Sequence, residues 1–442
     1  SSMKSLRTFT KGGVHPHDYK GYAAEKPITN AFIPSLFKIP LLQHIGSPAE
    51  CLVDKGDEVH EEMLLGKSTG FISANIHCPV PGVVKGIDDI ILPSGARSKC
   101  ITIEMQGEFN RLGKKRDSFD WRDSSKQELL DLIKERGIVG LGGATFPTHV
   151  KYTIPRQKHV EAFVVNGVEC EPYLNSDYRL MLEKTGEILE GIRIIARILE
   201  PEKIYFGIES NKPEAIELVA QACAEEDLDI EVVPLELKYP QGDEKQLLKA
   251  VLDREVPSGA LPIDIGAVVS NVGTIYAIYE AVDQAKPLIE RIVTVSGGAI
   301  KNPMNFKVRI GTPVRTLIEE CGGFTKEPAK VVMGGPMMGF ALHDLDMPVI
   351  KGTSGILALT KREVKPAQTT TCIRCGRCLA ACPLGLNPTR LYKAVDHSMY
   401  YEAQEIGIMD CKECGCCGYV CPAHIPLIQG MKLGKRMLKK EL

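Results

Sequence analysis

Residues 372–383 read CIRCGRCLAACP, and residues 411–422 read CKECGCCGYVCP. Each run spaces its four outer cysteines as C-x2-C-x2-C-x3-C and places a proline directly after the fourth, and the second run begins 39 residues after the first. Nine of the chain's 15 cysteines lie in the 50 residues from Cys372 to Cys421. A segment so rich in thiols is organised by the groups that its cysteines bind, so these two runs decide the fold of the C-terminal part.

The spacing is that of bacterial ferredoxins with two [4Fe–4S] clusters, in which the fourth cysteine of each run ligates the other cluster. One cluster is therefore expected on Cys372, Cys375, Cys378 and Cys421, and the second on Cys411, Cys414, Cys417 and Cys382. Zinc is the alternative, but zinc sites commonly pair two short CxxC motifs, which this doubled run does not resemble. Cys416 is a ninth cysteine and is expected not to be a ligand. The pattern indicates transfer of single electrons.

The composition is that of a globular protein with several domains. The chain has 442 residues, of which 44% are hydrophobic and 25% charged, with a net charge of −2. At about 150 residues per domain, this length suggests two to four domains. The near-neutral charge argues against a dedicated nucleic-acid surface. The longest stretch without Asp, Glu, Lys or Arg has 18 residues (414–431), fewer than the ~20 apolar residues of a membrane span. The start lacks the apolar core of a secretion signal, so we expect an intracellular protein in which disulfides are uncommon.

Short β patterns and glycine turns fill residues 28–106 and are similar to the sandwich of lipoyl and biotinyl carriers. Those carriers present a modified lysine on a hairpin, and the corresponding position here is Phe71. A swinging arm is therefore not expected, and the module is predicted to be structural.

Residues 126–280 alternate helical and strand patterns, as in an α/β domain. A predicted helix at Lys126–Arg136 leads into GLGGATFPTHVK at 140–151. Glycines let backbone N–H groups approach a phosphate, and a helix that begins after Pro147 would add its dipole. The segment lacks both the GK[ST] of a P-loop and the preceding strand of a Rossmann fingerprint. A plain turn is therefore the alternative.

The next predicted strand, Glu161–Asn166, runs into the acidic segment 167–173. Acidic and amide side chains at the carboxyl end of a buried strand fit a ligand crevice in an open α/β sheet. The alternative is an acidic turn that holds Glu169 and Glu171 in solvent.

Further on, residues 290–359 are predicted to be β-rich with one helix at Pro313–Cys321. The segment Lys432–Lys440 has a basic helical pattern. We expect a solvated helix end there, with an acidic partner or a membrane surface as the alternative.

Together these segments resemble a known family. GLGGATFPTHVK at 140–151 and NGVECEP at 166–172 are similar to the FMN/NADH-binding core of the flavoprotein subunit of respiratory complex I. YPQGDE at 239–244 and SNVGT at 270–274 match two later segments of that core, in the same order. This chain departs from that pattern at Leu141, Thr145 and Val168, which stand where the complex I subunit has a basic residue, a glycine and an acidic residue.

Three further features are similar to the C subunits of Rnf complexes, which are membrane-bound ferredoxin:NAD oxidoreductases. They are the start GGVHP at 12–16, a sandwich module before the flavin domain, and two ferredoxin-type runs in place of a single cluster. The resemblance covers roughly residues 11–427. It implies a multidomain α/β protein. The implied parts are an N-terminal barrel-sandwich β module (1–115), a Rossmann-like FMN/NADH-binding α/β domain (116–285), a β-grasp module of the soluble-ligand-binding type (286–360) and a C-terminal helical, ferredoxin-like domain with two [4Fe–4S] clusters (361–442).

The resemblance also implies non-covalent FMN and NAD(H) as substrate. The residues implied to hold the flavin and its phosphate are Gly140, Gly142, Gly143, Lys151, Asn166, Glu169, Gly242, Asp243, Asn271 and Thr274. The residues implied to contact the nicotinamide nucleotide are Phe146, Glu171, Tyr239 and Glu244. No residue is expected to act as a general acid or base, because the cofactors carry the chemistry.

The implied function is hydride exchange between NAD(H) and FMN, and exchange of single electrons with the clusters. The chain would serve a ferredoxin:NAD+ oxidoreductase whose partner subunits, a ferredoxin-type iron–sulfur subunit and membrane flavoproteins, translocate ions. It would lie at the cytoplasmic face of the membrane without a span of its own and without nucleic acid. One alternative is the NADH-reacting subunit of a soluble hydrogenase, formate dehydrogenase or bifurcating complex, which lacks the leading sandwich module. The other is a flavin-free iron–sulfur adaptor.

Overall fold

The computed structural model describes residues 5–364 and 368–440. Its strands are β1 (Ile28–Asn30), β2 (Leu36–Pro40), β3 (Glu50–Cys51), β4 (Glu58–Val59), β5 (Leu64–Lys67), β6 (Ile76–His77), β7 (Gly82–Ile91), β8 (Arg97–Met105), β9 (Ala162–Gly167), β10 (Lys203–Glu209), β11 (Ile230–Leu235), β12 (Ala267–Asn271), β13 (Glu290–Ser296), β14 (Met304–Arg309), β15 (Lys330–Met333), β16 (Phe340–Ala341) and β17 (Gly355–Leu359). Its α-helices are α1 (Lys126–Glu135), α2 (Thr148–Lys151), α3 (Ser176–Glu183), α4 (Thr185–Leu199), α5 (Pro213–Glu225), α6 (Glu244–Leu252), α7 (Val272–Asp283), α8 (Val314–Glu320), α9 (Arg377–Ala381), α10 (Pro388–Asp396), α11 (Tyr400–Glu405), α12 (Cys416–Val420) and α13 (Leu427–Lys440).

The N-terminal β module is built from two antiparallel sheets that share one core. Strands β2, β8, β7 and β4 form one sheet, and β3, β5 and β6 form the other. Phe37 and Ile103 from the first sheet and Leu65 from the second are each 0% exposed and belong to the same cluster. Phe71 lies 73% exposed on the loop between β5 and β6. The module thus has the two-layered form that the sequence predicts.

The α/β domain is centred on a parallel sheet with the strand order β11-β10-β9-β12. This order, 3-2-1-4 when the four strands are numbered along the chain, is found within the 3-2-1-4-5-6 order of a doubly wound fold. Residues 162–165 of β9 are nearly inaccessible, as expected for a central parallel strand covered on both faces. Asn271 at the end of β12 lies in register with Asn166 at the end of β9. The sheet therefore brings the segments that follow these two strands to one edge.

The third sheet has the order β1-β14-β13-β17-β15-β16 and contains a strand from outside its own region. Strand β1 pairs in parallel with β14, with Ile28 opposite Asn305. Upstream of β1, Arg7 forms a bridge to Leu235 in the α/β domain. In the same segment, Gly13 N donates to Ala381 O in the cysteine-rich region at 2.9 Å. The residues before β2 thus cross three other parts of the molecule, which the sequence did not predict.

The cysteine-rich region repeats one local structure. Each run leads through a glycine with positive φ, 71° at Gly376 and 86° at Gly415, into the short helices α9 and α12. The sequence between the two runs has helical spacing at 389–406, and the structure divides this connection into α10 and α11, because Ser398 has φ 57° and breaks the helix. In the described ranges, no helix combines the length and the apolar character that crossing a membrane requires.

Candidate functional site

The glycine-rich loop lies against the start of α7. Leu141 N donates to Thr274 Oγ1 at 2.8 Å. A Cβ added to Gly142 would lie 3.1 Å from Asn271 Cβ. Asn271 is the N-cap of α7, and its side chain accepts a hydrogen bond from Gly273 N. Helix α7 has 12 residues, whereas α2, which follows Pro147, has only four and can contribute little dipole. The helix expected after Pro147 is therefore present as α2 but is short, and the longer helix whose start contacts the loop is α7.

The exposed part of the loop fits a phosphate group. Gly142, Gly143 and Ala144 are exposed, and their N–H groups donate to no acceptor among the residues that the structure describes. Gly143 has φ 129°, and a Cβ there would meet nothing within 4 Å. Free N–H groups on a concave glycine turn are suited to anionic oxygen. The residues present therefore fit the phosphate end of FMN.

The same loop is held by both neighbouring β domains. Thr145 has φ 54°, so it adopts the left-handed conformation at the position where the complex I pattern has glycine. Its carbonyl accepts a hydrogen bond from Ile45 N in the barrel-sandwich module at 3.2 Å. A Cβ on Gly352 would lie 2.7 Å from Thr145 Cγ2. Contacts from outside the α/β domain thus stabilise Thr145, whose backbone is strained. Its neighbour Phe146 is half-buried.

The loop 239–244 forms the facing side of the site. Asn166 Nδ2 donates to Gly242 O at 2.9 Å, which connects the end of β9 to this loop. Asp243 caps α6 by accepting from Gln246 N, and burial raises the pKa of Asp243.

Lys151 and Glu244 form an ion pair beside this loop, with 2.9 Å between Nζ and Oε1. Their side chains are 32% and 38% exposed. The structure thus brings together a lysine predicted to contact the flavin and a glutamate predicted to contact NAD(H).

Glu169 has a further role that the sequence did not predict. Its backbone has φ 50°, and its carboxylate accepts hydrogen bonds from Asp177 N at 2.7 Å and Tyr178 N at 3.1 Å. Both oxygens therefore lie at the start of α3, where the helix dipole favours a negative charge.

Glu171 and Tyr239 face the neighbouring domains. The Glu171 carboxylate accepts hydrogen bonds from Met337 N at 2.9 Å and Met338 N at 3.0 Å, and burial raises its pKa to about 7. Tyr239 is 2% exposed, and its hydroxyl donates to Cys414 O at 2.6 Å. The polar atoms of both side chains, predicted to contact NAD(H), are thus engaged at contacts with the third sheet and the cysteine-rich region.

Two buried lysines support the segment between these residues. Lys20 Nζ donates to the carbonyls of Glu169, Glu171 and Leu174 at 2.9, 3.1 and 2.7 Å. Lys212 Nζ donates to Val168 O at 2.7 Å. Burial lowers the pKa of Lys20, and Lys212 lowers it further. A single lysine carries no sequence signal for such a role, so neither residue could be found from a motif.

The cysteines of the second run lie close to the fourth cysteine of the first run. Burial, together with the neighbouring Cys414, Cys411 and Cys382, raises the pKa of the Cys417 thiol to about 12. These four cysteines are the predicted crossed set. Cys416 is 0% exposed, with its Sγ 3.9 Å from Tyr239 O.

The two runs also match in detail. Arg374 N and Glu413 N occupy equivalent positions, and they donate to Cys372 Sγ and Cys411 Sγ at 3.4 and 3.3 Å. Both residues have φ 55°. Among the described side chains, no three of His, Cys, Asp or Glu converge as one metal ion requires. A four-iron cluster is larger than one ion, and the repeated cysteine loops fit it.

The two predicted cluster sites have different surroundings. We name the Cys411, Cys414, Cys417 and Cys382 set the inner site, and the Cys372, Cys375, Cys378 and Cys421 set the outer site. At the inner site, a Cβ on Gly415 would lie 2.8 Å from Met337 O in the loop between β15 and β16. At the outer site, Ile373 is 67% exposed and Cys375 is exposed. The inner site therefore packs against Met337 and, through the hydrogen bond from Tyr239 to Cys414 O, against the loop 239–244, whereas the outer site faces solvent.

Family models match successive parts of the chain. They describe the RnfC barrel sandwich hybrid domain at 8–108, the Nuo51 FMN-binding domain at 133–280, the SLBB domain at 292–341 and the 4Fe-4S dicluster domain at 366–422. The predicted FMN and NAD(H) residues all lie within 133–280, and the eight predicted cluster ligands lie within 366–422.

Several curated proteins are similar over most of their length. The C subunit of the proton-translocating ferredoxin:NAD(+) oxidoreductase complex of Clostridium ljungdahlii is 50% identical, covering 90% of this chain and 87% of that protein. The C subunit of the Na(+)-translocating ferredoxin:NAD(+) oxidoreductase complex of Acetobacterium woodii is 42% identical, covering 96% of each chain. The C subunit of the ion-translocating oxidoreductase complex of Rhodobacter capsulatus is 42% identical, covering 98% of this chain and 84% of that protein.

Among solved structures, an NAD+-reducing [NiFe]-hydrogenase in its H2-reduced state matches with a TM-score of 0.49 and 16% identity, covering 72% of this chain and 61% of that chain. A similarity this low carries no argument about function.

Proposed function

The chain belongs to the family of C subunits of ion-translocating ferredoxin:NAD(+) oxidoreductase complexes, and we propose that it exchanges electrons between NAD(H) and two [4Fe–4S] clusters by way of FMN. The FMN-binding and dicluster matches confirm the cofactors expected from the sequence. When bound, FMN supplies the conversion between two-electron hydride transfer and one-electron steps.

The observation that carries the proposal is that one short loop contacts residues of both predicted redox sites. In the loop 239–244, Gly242 O accepts a hydrogen bond from Asn166 in the flavin-type pocket. Three residues earlier, the Tyr239 hydroxyl donates to Cys414 O in the inner cluster loop. Since electron transfer slows steeply with distance, a loop that joins the pocket to the inner site favours transfer between them.

The chain's own residues bind FMN and the nucleotide and orient them. We propose that the free N–H groups at 142–144 hold the flavin phosphate, and that Lys151 and Glu244 stand at the nucleotide side of the pocket. Glu171 and Tyr239 are proposed to stabilise the pocket against the third sheet and the inner cluster loop, in place of the nucleotide contacts predicted from the sequence.

We further propose the division into domains at 1–115, 116–285, 286–360 and 361–442, with the residues before β2 serving as a strap across the other three. Their folds are proposed to be the barrel-sandwich, Rossmann-like, β-grasp and ferredoxin-like forms. The chain would lie peripherally at the cytoplasmic face of the membrane, on partner subunits that include an iron–sulfur subunit and membrane flavoproteins. The barrel sandwich match at 8–108 disfavours the soluble-hydrogenase alternative, which lacks that module.

The test is anaerobic purification followed by acid extraction and an iron assay. We expect one FMN and about eight irons per chain, with NADH-driven reduction of a small dye. Gly142→Ala should weaken FMN binding about 10-fold, equivalent to about 1.4 kcal/mol, because its Cβ would press on Asn271. Gly186→Ala in the same domain is the matched control, because a Cβ there meets nothing within 4 Å. Eight irons without flavin, and no NADH-driven dye reduction, would leave the flavin-free adaptor.

A further inference from the structure

The outer cluster site is exposed on an apolar surface. Ile373 and Leu379 flank its cysteines and are 67% and 43% exposed. Cys375 between them is also exposed. By contrast, the inner site is covered by Tyr239 and Met337. An electron that enters or leaves the protein through the clusters therefore has its shortest path at the outer site.

The same surface is basic. The sequence contains no Asp or Glu from residue 364 to residue 395. Arg374 and Arg377 are exposed, and neither forms an ion pair with any residue in the described part of the chain. Lys11 from the N-terminal segment adds an ammonium beside Gly385. The nearby Arg390 is paired with Glu402 at 3.6 Å, so it adds less net charge.

We propose that the outer face, defined by Ile373, Arg374, Arg377 and Leu379, docks an acidic protein that carries single electrons. The proposal rests on the proposed function, since it assigns the surface where electrons pass between this chain and its redox partner. In each transfer, one side loses one electron and the other gains it, and no bond breaks and no proton moves.

The chemistry of the face favours such a partner. An apolar centre with a basic rim suits a small, transient interface of the kind found in electron-transfer encounters. Opposite charge on the partner steers the encounter and raises the association rate. Burying Ile373 and Leu379 against the partner would bring its redox group close to the outer cysteines.

Helix α13 offers the competing basic surface. Arg436 and Lys439 are exposed on it. Lys435, however, is engaged internally, because its Nζ contacts Cys411 O and lies 3.3 Å from Glu413 Oε2. No outer-site cysteine lies on α13. This helix is therefore a suitable control surface with the same kind of charge in the same domain.

The test compares Arg374→Glu/Arg377→Glu with Arg436→Glu/Lys439→Glu, which carries the same charge change. Each full chain is loaded with FMN and clusters and checked for iron content. NADH-driven reduction is then measured with a small neutral quinone and with an acidic ferredoxin whose reduction potential lies above that of NADH, so that both transfers run downhill. We expect the first pair to keep its quinone rate but lose about 10-fold or more of its ferredoxin rate at low ionic strength. The loss should shrink in about 0.5 M salt, and the α13 pair should stay within about two-fold of wild type.

Other outcomes would overturn the proposal. Unchanged ferredoxin reduction by Arg374→Glu/Arg377→Glu, or an equal loss in the α13 pair, would exclude specific docking at the outer face. If the charge reversal loses iron, Arg374→Gln/Arg377→Gln applies the same comparison with a smaller change. If wild type reduces neither acceptor, the proposed function itself fails, which is a different result from a selective loss with ferredoxin.

Discussion

Lys20 shows how one buried side chain can organise a site built from another part of the chain. It is 7% exposed, and its ammonium donates to three carbonyls of the segment 169–174. Two non-glycine residues of that segment, Glu169 and Tyr173, have φ of 50° and 70°. Such backbone costs roughly 1–2 kcal/mol per residue. The hydrogen bonds from Lys20 offset this cost and hold the segment in place.

We therefore expect Lys20→Met to weaken FMN binding about 10-fold or more, because three carbonyls lose a charged donor worth about 1.5–3 kcal/mol each. Fluorescence titration of the flavin-free chain with FMN measures the effect. Lys26→Met, an exposed lysine in the same segment, is the control and should bind FMN as wild type does. Equal affinities for the two variants would show that Lys20 does not position the site.

Glu171 makes the stability of the domain contact depend on pH. Burial raises its pKa from the ordinary value of 4.5 to about 7, although hydrogen bonds from Met337 N and Met338 N oppose the shift. The folded protein therefore binds this proton more tightly than the unfolded chain does. The resulting stabilisation is complete below pH 4.5 and is lost as the pH rises through 7, at about 1.4 kcal/mol per pH unit.

The melting temperature of wild type relative to Glu171→Gln should accordingly be highest near pH 5 and should fall towards pH 8. Thermal unfolding of both proteins at several pH values and constant ionic strength checks this. The control is Glu327→Gln, which changes an exposed glutamate in the part of the chain that contains Met337 and Met338. Its melting temperature should differ from that of wild type by an amount that does not vary with pH. A pH-independent difference for Glu171→Gln as well would rule out titration of Glu171 in this range.

At the scale of elements, the two cysteine runs form a repeat with unequal surroundings. Gly376 and Gly415 occupy equivalent positions and have φ of 71° and 86°. A Cβ on Gly376 would meet nothing within 4 Å, whereas one on Gly415 would lie 2.8 Å from Met337 O. The glycine turn thus has open space around it at the outer site, whereas at the inner site it packs against Met337.

Gly376→Ala and Gly415→Ala form a matched pair because they share the strain of a positive φ. We expect about 1–2 kcal/mol of local destabilisation from that strain in both variants. Gly415→Ala should be destabilised more than Gly376→Ala, because its methyl group also displaces the Met337 backbone. Iron retention and the melting temperature of the cluster-loaded chain report the difference, and equal losses would contradict the packing of the inner loop.

At the scale of the whole molecule, Lys351 joins three domains. It is 1% exposed, and its Nζ donates to Asn75 O of the barrel-sandwich module at 2.6 Å and to Gly137 O of the α/β domain at 2.7 Å. Its backbone N donates to Gln43 Oε1 at 2.9 Å. A buried carbonyl that loses such a donor stays removed from water without a hydrogen bond, and this lowers the free energy of unfolding.

Lys351→Met should therefore destabilise the assembled chain by about 2–4 kcal/mol and loosen the contact between these domains. Thermal unfolding and limited proteolysis of the segments between the domains measure the two effects. Lys361→Met, an exposed lysine, is the control and should behave as wild type. Wild-type stability in Lys351→Met would show that the junction does not depend on this side chain.

Features that depend on nearby residues could be predicted from the sequence. The sequence predicted a helix at Lys126–Arg136, and the structure has α1 at Lys126–Glu135. The helix predicted at Pro313–Cys321 is α8 at Val314–Glu320. In both, apolar spacing and end signals lie within one short segment. The crossed cysteine sets were predicted from ligand spacing and stay a prediction, although Cys382 is among the electrostatic neighbours of Cys417.

Long-range contacts could not be predicted in this way. No local pattern indicates that Lys20 reaches residues 169–174, that β1 joins the third sheet, or that the glycine loop contacts the start of α7.

The sequence by itself thus determined the ligand spacing, the order of the flavin-type segments and the family. Only the tertiary structure decided which cluster site adjoins the pocket and which faces solvent. The physical reason is that the two cysteine runs are nearly equivalent as local structure. What distinguishes them is that Tyr239 and Met337, from distant parts of the chain, contact Cys414 and Gly415 in the second run, whereas the equivalent Cys375 and Gly376 in the first run are exposed.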